Sequence, residues 1–296
     1  MKRTLLAALL PALFAACAAE SDPPAAATTP PPAAEAPVPA PDAAVDSAAE
    51  LDRVLAGDWR TPEFAARDQY RHPKETLSFF GITPDMTVVE ITPGGGWYAE
   101  ILAPYLYENG TYVAAVVDPA SQEEADSREY YARARDGLRE RLGGEPEAVY
   151  GRATMVEFDP AAPRFGEPGT ADAVLTFRNV HNWLGNDTAN GMFQGFFEVL
   201  KPGGVLGVVE HRAEQELPKD DESGYVAEAT VIALAESAGF RLVDRSDINA
   251  NRDDTRDHPN GVWTLPPSNN HDEADAEKYA AIGESDRMTL RFVKPE

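Results

Sequence analysis

The stretch from Val88 to Leu102, VVEITPGGGWYAEIL, carries the strongest indication of how this chain folds. It starts with apolar β-branched residues, which are typical of a buried parallel strand, and ends with apolar residues at helical spacing. Between them stand Gly94, Gly95 and Gly96, which can adopt positive φ and let a ligand approach the backbone closely. The N–H groups of the new helix point toward such a ligand. The stretch therefore predicts a strand, a glycine-rich turn and a helix, the first crossover of a Rossmann-like sheet.

A second apolar run, TYVAAVVDP from Thr111 to Pro119, ends in a carboxylate. Asp118 follows Gly96 by 22 residues, close to the distance at which nucleotide-binding βαβ units place an acidic residue for ribose hydroxyls. The turn does not read G-x-G-x-x-G, so a ligand with one nucleoside and no phosphate is favoured over a dinucleotide. The alternative is that the glycines only form a tight turn and Asp118 only caps the next helix.

The N-terminal segment resembles a secretory signal. Lys2 and Arg3 precede an apolar run, which is too short for a stable transmembrane helix, and small residues then lead to Cys17, the only cysteine. This arrangement resembles the lipobox of bacterial lipoproteins, so residues 1–17 are predicted to be a signal that ends at a lipidated Cys17. It predicts a periplasmic protein anchored to an envelope membrane. The alternative is an ordinary secretory signal whose cysteine has no role.

The rest of the chain divides by composition. Residues 18–50 contain 13 Ala and 8 Pro among 33, a composition that cannot bury a core and predicts a disordered, extended tether. Residues 51–296 are enough for one α/β domain, with N-terminal helices within 51–86. The formal charge of −24 disfavours nucleic acid and anionic membrane surfaces as partners. Membrane contact is therefore expected only through the lipid on Cys17.

Strands and helices alternate along this domain, which predicts a parallel sheet with helices on both faces. Strands are predicted near residues 87–92, 111–118, 149–158, 173–177, 205–210, 241–247 and 288–293. Helices are predicted at 47–56, at 62–80, from the glycines to about 106, and at 122–142, 188–200 and 224–238. Between the last two strands, residues 249–287 form a polar insertion longer than ordinary connections, and it is a candidate lid.

The order and content of these segments resemble the class I S-adenosylmethionine-dependent methyltransferases. The resemblance covers roughly residues 87–293 and rests on four features: the acidic strand before the glycines, Asp118, DAVL at 172–175 and VLKPGG at 199–204. Together with PGGGWY and HPNGVWTLPP, it is closest to an uncharacterised group of secreted bacterial predicted methyltransferases. It implies a Rossmann-like, doubly wound, mostly parallel seven-stranded sheet with helices on both faces and an antiparallel last strand.

The resemblance also implies S-adenosylmethionine as the cofactor. It places Glu90 and Gly94 to Gly96 at the methionine end of the cofactor and assigns both ribose hydroxyls to Asp118. Ligands of such a sheet gather at the carboxyl ends of the strands. Three further residues at these ends complete the candidate cofactor site: Pro93, Trp97 and Arg178.

The adenine contact departs from the family pattern. Family members often carry an acidic residue in a Gly-Asp-Ala position after the third strand, where it accepts a hydrogen bond from the adenine amine. This chain has Arg152 there. Glu157 or Asp159, at the end of the same strand, is the candidate substitute.

Methyl transfer requires mainly that the accepting atom be aligned with the methyl group, because the sulfonium is already a good electrophile. A base is needed only where the accepting atom must lose a proton. His181 and His211 follow the fourth and fifth strands, which adjoin in this fold, so both imidazoles are candidate bases. His181 ranks first because Asn179 and Trp183 share its loop, and Asn179 is the third candidate catalytic residue. A structural, hydrogen-bonded role for either histidine is the alternative.

Two other groups of polar residues carry weaker indications. Arg67, Asp68, Arg71 and His72 are expected to form a solvated helix face, with closure over the site as the alternative. The histidines of the polar insertion lack the tight spacing of metal ligands, so no metal is expected.

Two functions remain open on the sequence alone. In the first, the chain is an active methyltransferase for an unidentified small-molecule acceptor. In the second, it is a non-catalytic, envelope-anchored binding protein that retains the fold. Export removes the protein from the cytoplasm, where S-adenosylmethionine is made, and so favours the second. The glycines and Asp118 favour the first, which we prefer.

Overall fold

The computed structural model describes residues 41 to 144 and 147 to 296. Its strands are β1 (Thr87–Ile91), β2 (Thr111–Val117), β3 (Thr154–Phe158), β4 (Ala171–Phe177), β5 (Leu200–Ala213), β6 (Val226–Ala227), β7 (Arg241–Ser246) and β8 (Arg287–Val293). Its helices are α1 (Pro41–Leu55), α2 (Pro62–Ala65), α3 (Asp68–Arg71), α4 (Pro73–Phe80), α5 (Ala99–Tyr105), α6 (Ala125–Leu142), α7 (Glu147–Tyr150), α8 (Val180–Gly185), α9 (Ala189–Val199), α10 (Glu228–Ser237) and α11 (Ala276–Ile282).

The strands form one sheet in the order β3-β2-β1-β4-β5-β8-β7, and the short β6 pairs with the end of β5. Strands β1 to β5 run parallel to one another, whereas β8 runs antiparallel to both β5 and β7. The predicted Rossmann-like, mostly parallel sheet with an antiparallel last strand is confirmed. Because β4 and β5 adjoin, the residues that follow β4 lie beside the last part of β5.

Helices cover the sheet on both faces, and the alternation of side chains along β1 shows why. Val88 joins an apolar core with Leu77 of α4 and Ile101 of α5. Val89 points to the other face and joins a second core with Phe193 of α9. Each face of this central strand is therefore buried, which is what its continuous apolar sequence predicted.

The predicted continuous helix over 62–80 is wrong, because the structure divides this stretch into α2, α3 and α4. Pro73 lacks an N–H group and opens α4 at its first turn, a position that proline favours. His72 before it adopts φ +42, a left-handed conformation that ends α3.

Helix α1 begins at Pro41, within the segment assigned to the tether, and not near Ser47. Leu51 and Val54 of α1 are buried in the first core, and α1 contacts α4 and α5. An alanine-rich segment extends a helix readily once part of that helix is packed. The boundary between tether and domain therefore lies before residue 50.

Three short helices, α7, α8 and α11, occur where the sequence predicted none. Residues Glu147–Tyr150 form α7 at the start of the stretch predicted as the third strand, so β3 begins later, at Thr154. Helix α8 follows β4 almost directly and carries His181.

The predicted signal with Cys17 and the first part of the tether lie outside the described residues. None of the described helices is long and apolar enough to cross a bilayer.

Candidate functional site

A cavity of about 480 Å³ lies at the carboxyl ends of β1 and β4. Its walls come from the glycine bend after β1, the residues around the start of α8, the last part of β5 and the insertion between β7 and β8. Ligands of this type of sheet bind at the carboxyl edge, and the volume suits a small molecule. The insertion predicted as a lid contributes Trp263 and Glu284 to the wall.

The glycine bend exposes its backbone to the cavity. Gly94 adopts φ +60, and a Cβ there would meet no atom within 4 Å. Among the described residues, the N–H groups of Gly94 and Gly95 have no hydrogen-bond acceptor, and the buried hydroxyl of Thr92 has no partner. Gly96 serves packing instead, because a Cβ there would lie 3.0 Å from Leu138 of α6. Open space beside unused donors fits a polar ligand group.

Glu90 is buried in β1, at the floor of the cavity. Its Oε2 accepts a hydrogen bond of 2.7 Å from the hydroxyl of Tyr112. Burial raises the pKa of Glu90 to about 7, and the Tyr112 hydrogen bond and the Arg71 guanidinium only partly oppose it. A positively charged ligand group near this carboxyl would favour its ionised form.

Asp118 directly follows β2 but does not line the cavity. Its Oδ1 accepts a hydrogen bond of 2.8 Å from the N–H of Ala120 and so caps a short 3-10 turn. The capping role, which was the alternative for this residue, is present. Oδ2 has no partner among the described residues, so one oxygen remains available to a ligand that extends from the cavity past β2.

The structure does not bring the candidate adenine contacts to the cavity. Glu157 forms ion pairs with Arg135 and Arg139 of α6. Asp159 accepts a hydrogen bond from the N–H of Ala161 in the following turn. Both carboxylates therefore already have partners, on α6 and in the turn that follows β3.

Helix α6 instead contributes two aromatic residues that the sequence analysis did not select. Tyr130 and Tyr131 line the cavity, with ring centroids 5.1 Å apart. The Tyr130 side chain is 59% exposed, which is unusual for a large aromatic residue. An exposed ring on a cavity wall can stack on a flat ligand.

His181 pairs with a buried carboxylate at the cavity wall. Its Nδ1 lies 3.1 Å from Oε1 of Glu210, whose two oxygens also accept the N–H groups of Val180 and His211. A carboxylate at Nδ1 orients the imidazole and leaves Nε2 to take a proton. His181 also lines a neighbouring cavity of about 530 Å³, so it is accessible from both. These features suit a general base.

His211 lies beside His181, with ring centroids 5.3 Å apart, but in different surroundings. Its Nδ1 is 2.6 Å from the hydroxyl oxygen of Ser285. Burial, His181 and Arg178 lower the pKa of His211 well below its usual value. His211 is therefore neutral at physiological pH, and it has no carboxylate at Nδ1 to stabilise an acquired proton.

Asn179 and Trp97 hold the cavity wall in place. The Asn179 amide donates to the Ile91 carbonyl at 3.0 Å and to the Thr176 hydroxyl at 3.2 Å, which ties the ends of β1 and β4 together. The Trp97 indole N–H donates to the Phe64 carbonyl at 2.8 Å. The N–H groups of both side chains are thus committed, so Asn179, predicted as catalytic, is placed as a positioning residue.

Arg67 and Arg71, at the two ends of α3, line the cavity and do not form a solvated face. The Glu284 carboxylate accepts hydrogen bonds from Arg67 at 2.7 Å, Arg71 at 3.1 Å and Arg287 at 3.0 Å. Burial alone raises the pKa of Glu284, but these guanidiniums lower it to about 2. Glu284 could not be selected from the sequence, because nothing in its polar insertion distinguishes it from its acidic neighbours.

Three side chains in this region could also hold a metal ion. His181, Glu210 and His211 each offer a ligand atom within 4.8 Å of the others, although no metal was expected from the sequence. Both Glu210 oxygens already accept backbone hydrogen bonds, which favours Glu210 as the partner of His181 over Glu210 as a ligand. His258 of the insertion instead contacts the buried carboxylate of Asp254, at 2.8 Å.

Solved structures share this architecture. The [4+2]-cyclase SpnF superposes with a TM-score of 0.51 at 17% identity, over 84% of this chain and 94% of that chain. The chain has a Rossmann-like, mostly parallel α/β fold. A SAM-dependent methyltransferase from Aquifex aeolicus matches with a TM-score of 0.48 at 14% identity, over 83% of this chain and 98% of that chain. The glycopeptide N-methyltransferase MtfA matches with a TM-score of 0.46 at 17% identity, over 79% of this chain and 100% of that chain.

This likeness concerns the fold, because one fold supports several activities and function lies in the site. No protein-family model matches the sequence, and no curated protein matches it.

Proposed function

We propose that the protein is an S-adenosylmethionine-dependent methyltransferase that acts on a small-molecule acceptor. One observation carries the proposal: the open glycine bend and the His181–Glu210 pair line the same cavity at the carboxyl edge of the sheet. A ligand bound by the bend is thereby placed beside a group that can take a proton.

The cofactor fits the donors and acceptors of this cavity together with Asp118, which lies outside the cavity at the end of β2. The free N–H groups of Gly94 and Gly95 and the unpaired Thr92 hydroxyl suit its amino-acid end, and Glu90 suits a positive charge there. The available oxygen of Asp118 suits the ribose hydroxyls. Tyr130 offers a stacking surface for the adenine.

When bound, the cofactor supplies an electrophilic methyl group on a sulfonium. The protein's part is to exclude water, to align the acceptor atom with that methyl group and to remove the acceptor's proton. S-adenosylmethionine held by the glycine bend would supply the methyl group and would leave as S-adenosylhomocysteine, whose sulfur keeps the electrons of the carbon–sulfur bond. The acceptor's proton passes to Nε2 of His181, where Glu210 stabilises the resulting imidazolium, and then to solvent.

Calorimetric titration with S-adenosylmethionine and S-adenosylhomocysteine tests the proposal. We expect binding of both at one site, and release of S-adenosylhomocysteine when a suitable acceptor is added. Absence of binding at millimolar ligand would remove the basis of the proposal. Tight binding without release of S-adenosylhomocysteine from any acceptor pool would favour the non-catalytic binding protein.

The place of action is a separate proposal, and its support comes from the sequence alone. The apolar N-terminal run and the small residues before Cys17 favour export and lipidation of that cysteine. Labelled palmitate should enter the wild-type protein in bacterial cells and should not enter Cys17→Ser. Equal labelling of the two proteins would exclude Cys17 as the lipid attachment site.

A further inference from the structure

The cavity wall holds more positive charge than its carboxylates neutralise. Arg67, Arg71, Arg178 and Arg287 influence one another electrostatically, and Glu284 is the one carboxylate that hydrogen bonds to them among the described residues. This local excess stands out in a chain of formal charge −24. The overall negative charge of the protein repels anions. A cluster of positive charge within it is therefore a local feature that needs its own explanation.

Several guanidinium N–H groups in this cluster have no acceptor. Nη2 of Arg67 and Nη2 of Arg71 are buried without a partner, although the Nε of each donates to Glu284. The side chain of Arg178 makes no hydrogen bond or ion pair with any described residue. Buried donors are almost always satisfied in folded proteins, so the two buried, unpartnered Nη2 groups of Arg67 and Arg71 indicate a missing acceptor, and Arg178 offers further unused donors on the same cavity.

Backbone strain supports the same conclusion. Arg178 adopts φ +61, a left-handed conformation that is uncommon for a residue with a side chain. Its N–H donates to the Val209 carbonyl at 2.7 Å, which holds the residue at the junction of β4 and β5. Such conformations concentrate at functional sites, where surrounding structure maintains them.

The charges also repel one another. Burial, together with the nearby Arg287 and Arg67, lowers the pKa of Arg178 to about 10. Burial and the neighbouring Arg178 lower the pKa of Arg71 as well. An anion placed among these guanidiniums would relieve the repulsion and gain charge-assisted hydrogen bonds.

We propose that Arg67, Arg71 and Arg178 bind an oxyanion, a carboxylate or a phosphate, of the methyl acceptor. This inference rests on the proposed function and narrows its substrate class to acidic small molecules. Arg178 lies three residues before His181 in the chain, and both line the cavity, so the bound oxyanion holds the acceptor beside the proposed base. A carboxylate could also come from the amino-acid end of the cofactor, and the experiment must separate these two sources.

The test uses inorganic phosphate and glutarate as probes. Each is titrated by calorimetry into the whole protein, alone and saturated with S-adenosylhomocysteine. The variants are Arg178→Gln and, on a different element, Arg67→Gln. Arg164→Gln is the matched control, since Arg164 is a mostly exposed arginine away from the cavity. The thermal midpoint of each variant establishes that it is folded.

We expect an anion to bind the S-adenosylhomocysteine complex at one site. Each cavity variant should weaken it by about 10- to 100-fold, the range for a lost hydrogen bond to a charged group. Arg164→Gln should leave the affinity for the anion unchanged, and the anions should not compete with S-adenosylhomocysteine.

Three results would overturn the inference in different ways. If S-adenosylhomocysteine binds but neither anion does, the oxyanion site is refuted and the proposed function stands. If the anions compete with S-adenosylhomocysteine and Arg178→Gln weakens both, the arginines hold the carboxylate of the cofactor. If the anions bind and S-adenosylhomocysteine does not, the proposed function fails and the arginines serve some other acidic ligand.

Discussion

Replacement of Glu90 by Gln should remove a pH-dependent loss of stability that the fold imposes on this protein. Glu90 is 3% exposed, and burial raises the pKa of its carboxyl from 4.5 to about 7. The folded protein thus keeps a proton on Glu90 at pH values where the unfolded chain has released it. Gln has nearly the same shape, can still accept the hydrogen bond from Tyr112, and does not titrate.

The sign and size of the effect on the free energy of unfolding follow from the difference between the pKa of Glu90 in the folded and unfolded protein. A raised pKa means that the folded state binds more protons than the unfolded state between pH 4.5 and 7. The contribution of Glu90 to the free energy of unfolding is therefore largest below pH 4.5 and falls by about 1.4 kcal/mol per pH unit up to pH 7. Above pH 7 it stays constant, after a total loss of about 3 kcal/mol.

Urea denaturation of both proteins at pH 5, 6, 7 and 8 measures this effect. Other titrating groups cancel in the difference, so between pH 5 and pH 8 the wild type should lose about 2 to 3 kcal/mol relative to Glu90→Gln. Glu123→Gln, at an exposed glutamate, should give a profile parallel to that of the wild type. Parallel profiles for wild type and Glu90→Gln would show that Glu90 is ionised in the folded protein well below pH 7.

Three further substitutions test the site. His181→Ala should lower the rate of S-adenosylhomocysteine release by about 10²- to 10⁴-fold without weakening S-adenosylhomocysteine binding, because it removes only the proposed base. His271→Ala is the control. If His181→Ala released S-adenosylhomocysteine as fast as the wild type, His181 would be excluded as the base. Asp118→Ala should weaken the affinity for S-adenosylhomocysteine by about 10-fold or more in calorimetry, because the ribose loses a charge-assisted partner. Asp220→Ala, at an exposed aspartate, should leave this affinity unchanged. An unchanged affinity of Asp118→Ala would mean that Asp118 only caps its turn. Glu284→Gln should destabilise the protein by about 3 to 5 kcal/mol at pH 7, because buried guanidiniums lose their carboxylate. Since the pKa of Glu284 is lowered to about 2, this difference should shrink as pH falls from 4.5 toward 2, and a constant difference would contradict the ion-pair explanation.

The sheet could be predicted from the sequence because its signals are local. Apolar runs such as that of β1 and β2, and the glycine bend between β1 and α5, depend on residues close in the chain. The predicted helix over 62–80 is wrong at Pro73, because proline begins a new helix there and helical periodicity alone does not show such a break.

The surroundings of the site residues could be predicted only in part. The rule that ligands gather at strand ends selected His181 and His211, and the structure brings them together beside Glu210. The same rule selected Glu157, whose carboxylate the structure commits to arginines of α6. Position along a strand does not determine the direction in which a charged side chain finds its partner.

By itself, the sequence determined the alternation of strands and helices, the bend at Gly94 to Gly96 and the edge of the sheet where a ligand would bind, because periodicity and glycine content act over a few residues. Only the tertiary structure decided that Arg67, Arg71 and Glu284 share one cavity wall, although more than 200 residues separate the arginines from Glu284 in the chain. Their pairing depends on the packing of the N-terminal helices and the insertion against the same sheet edge. The charge of the cavity follows from that packing, since no local pattern in the chain encodes contacts between such distant segments.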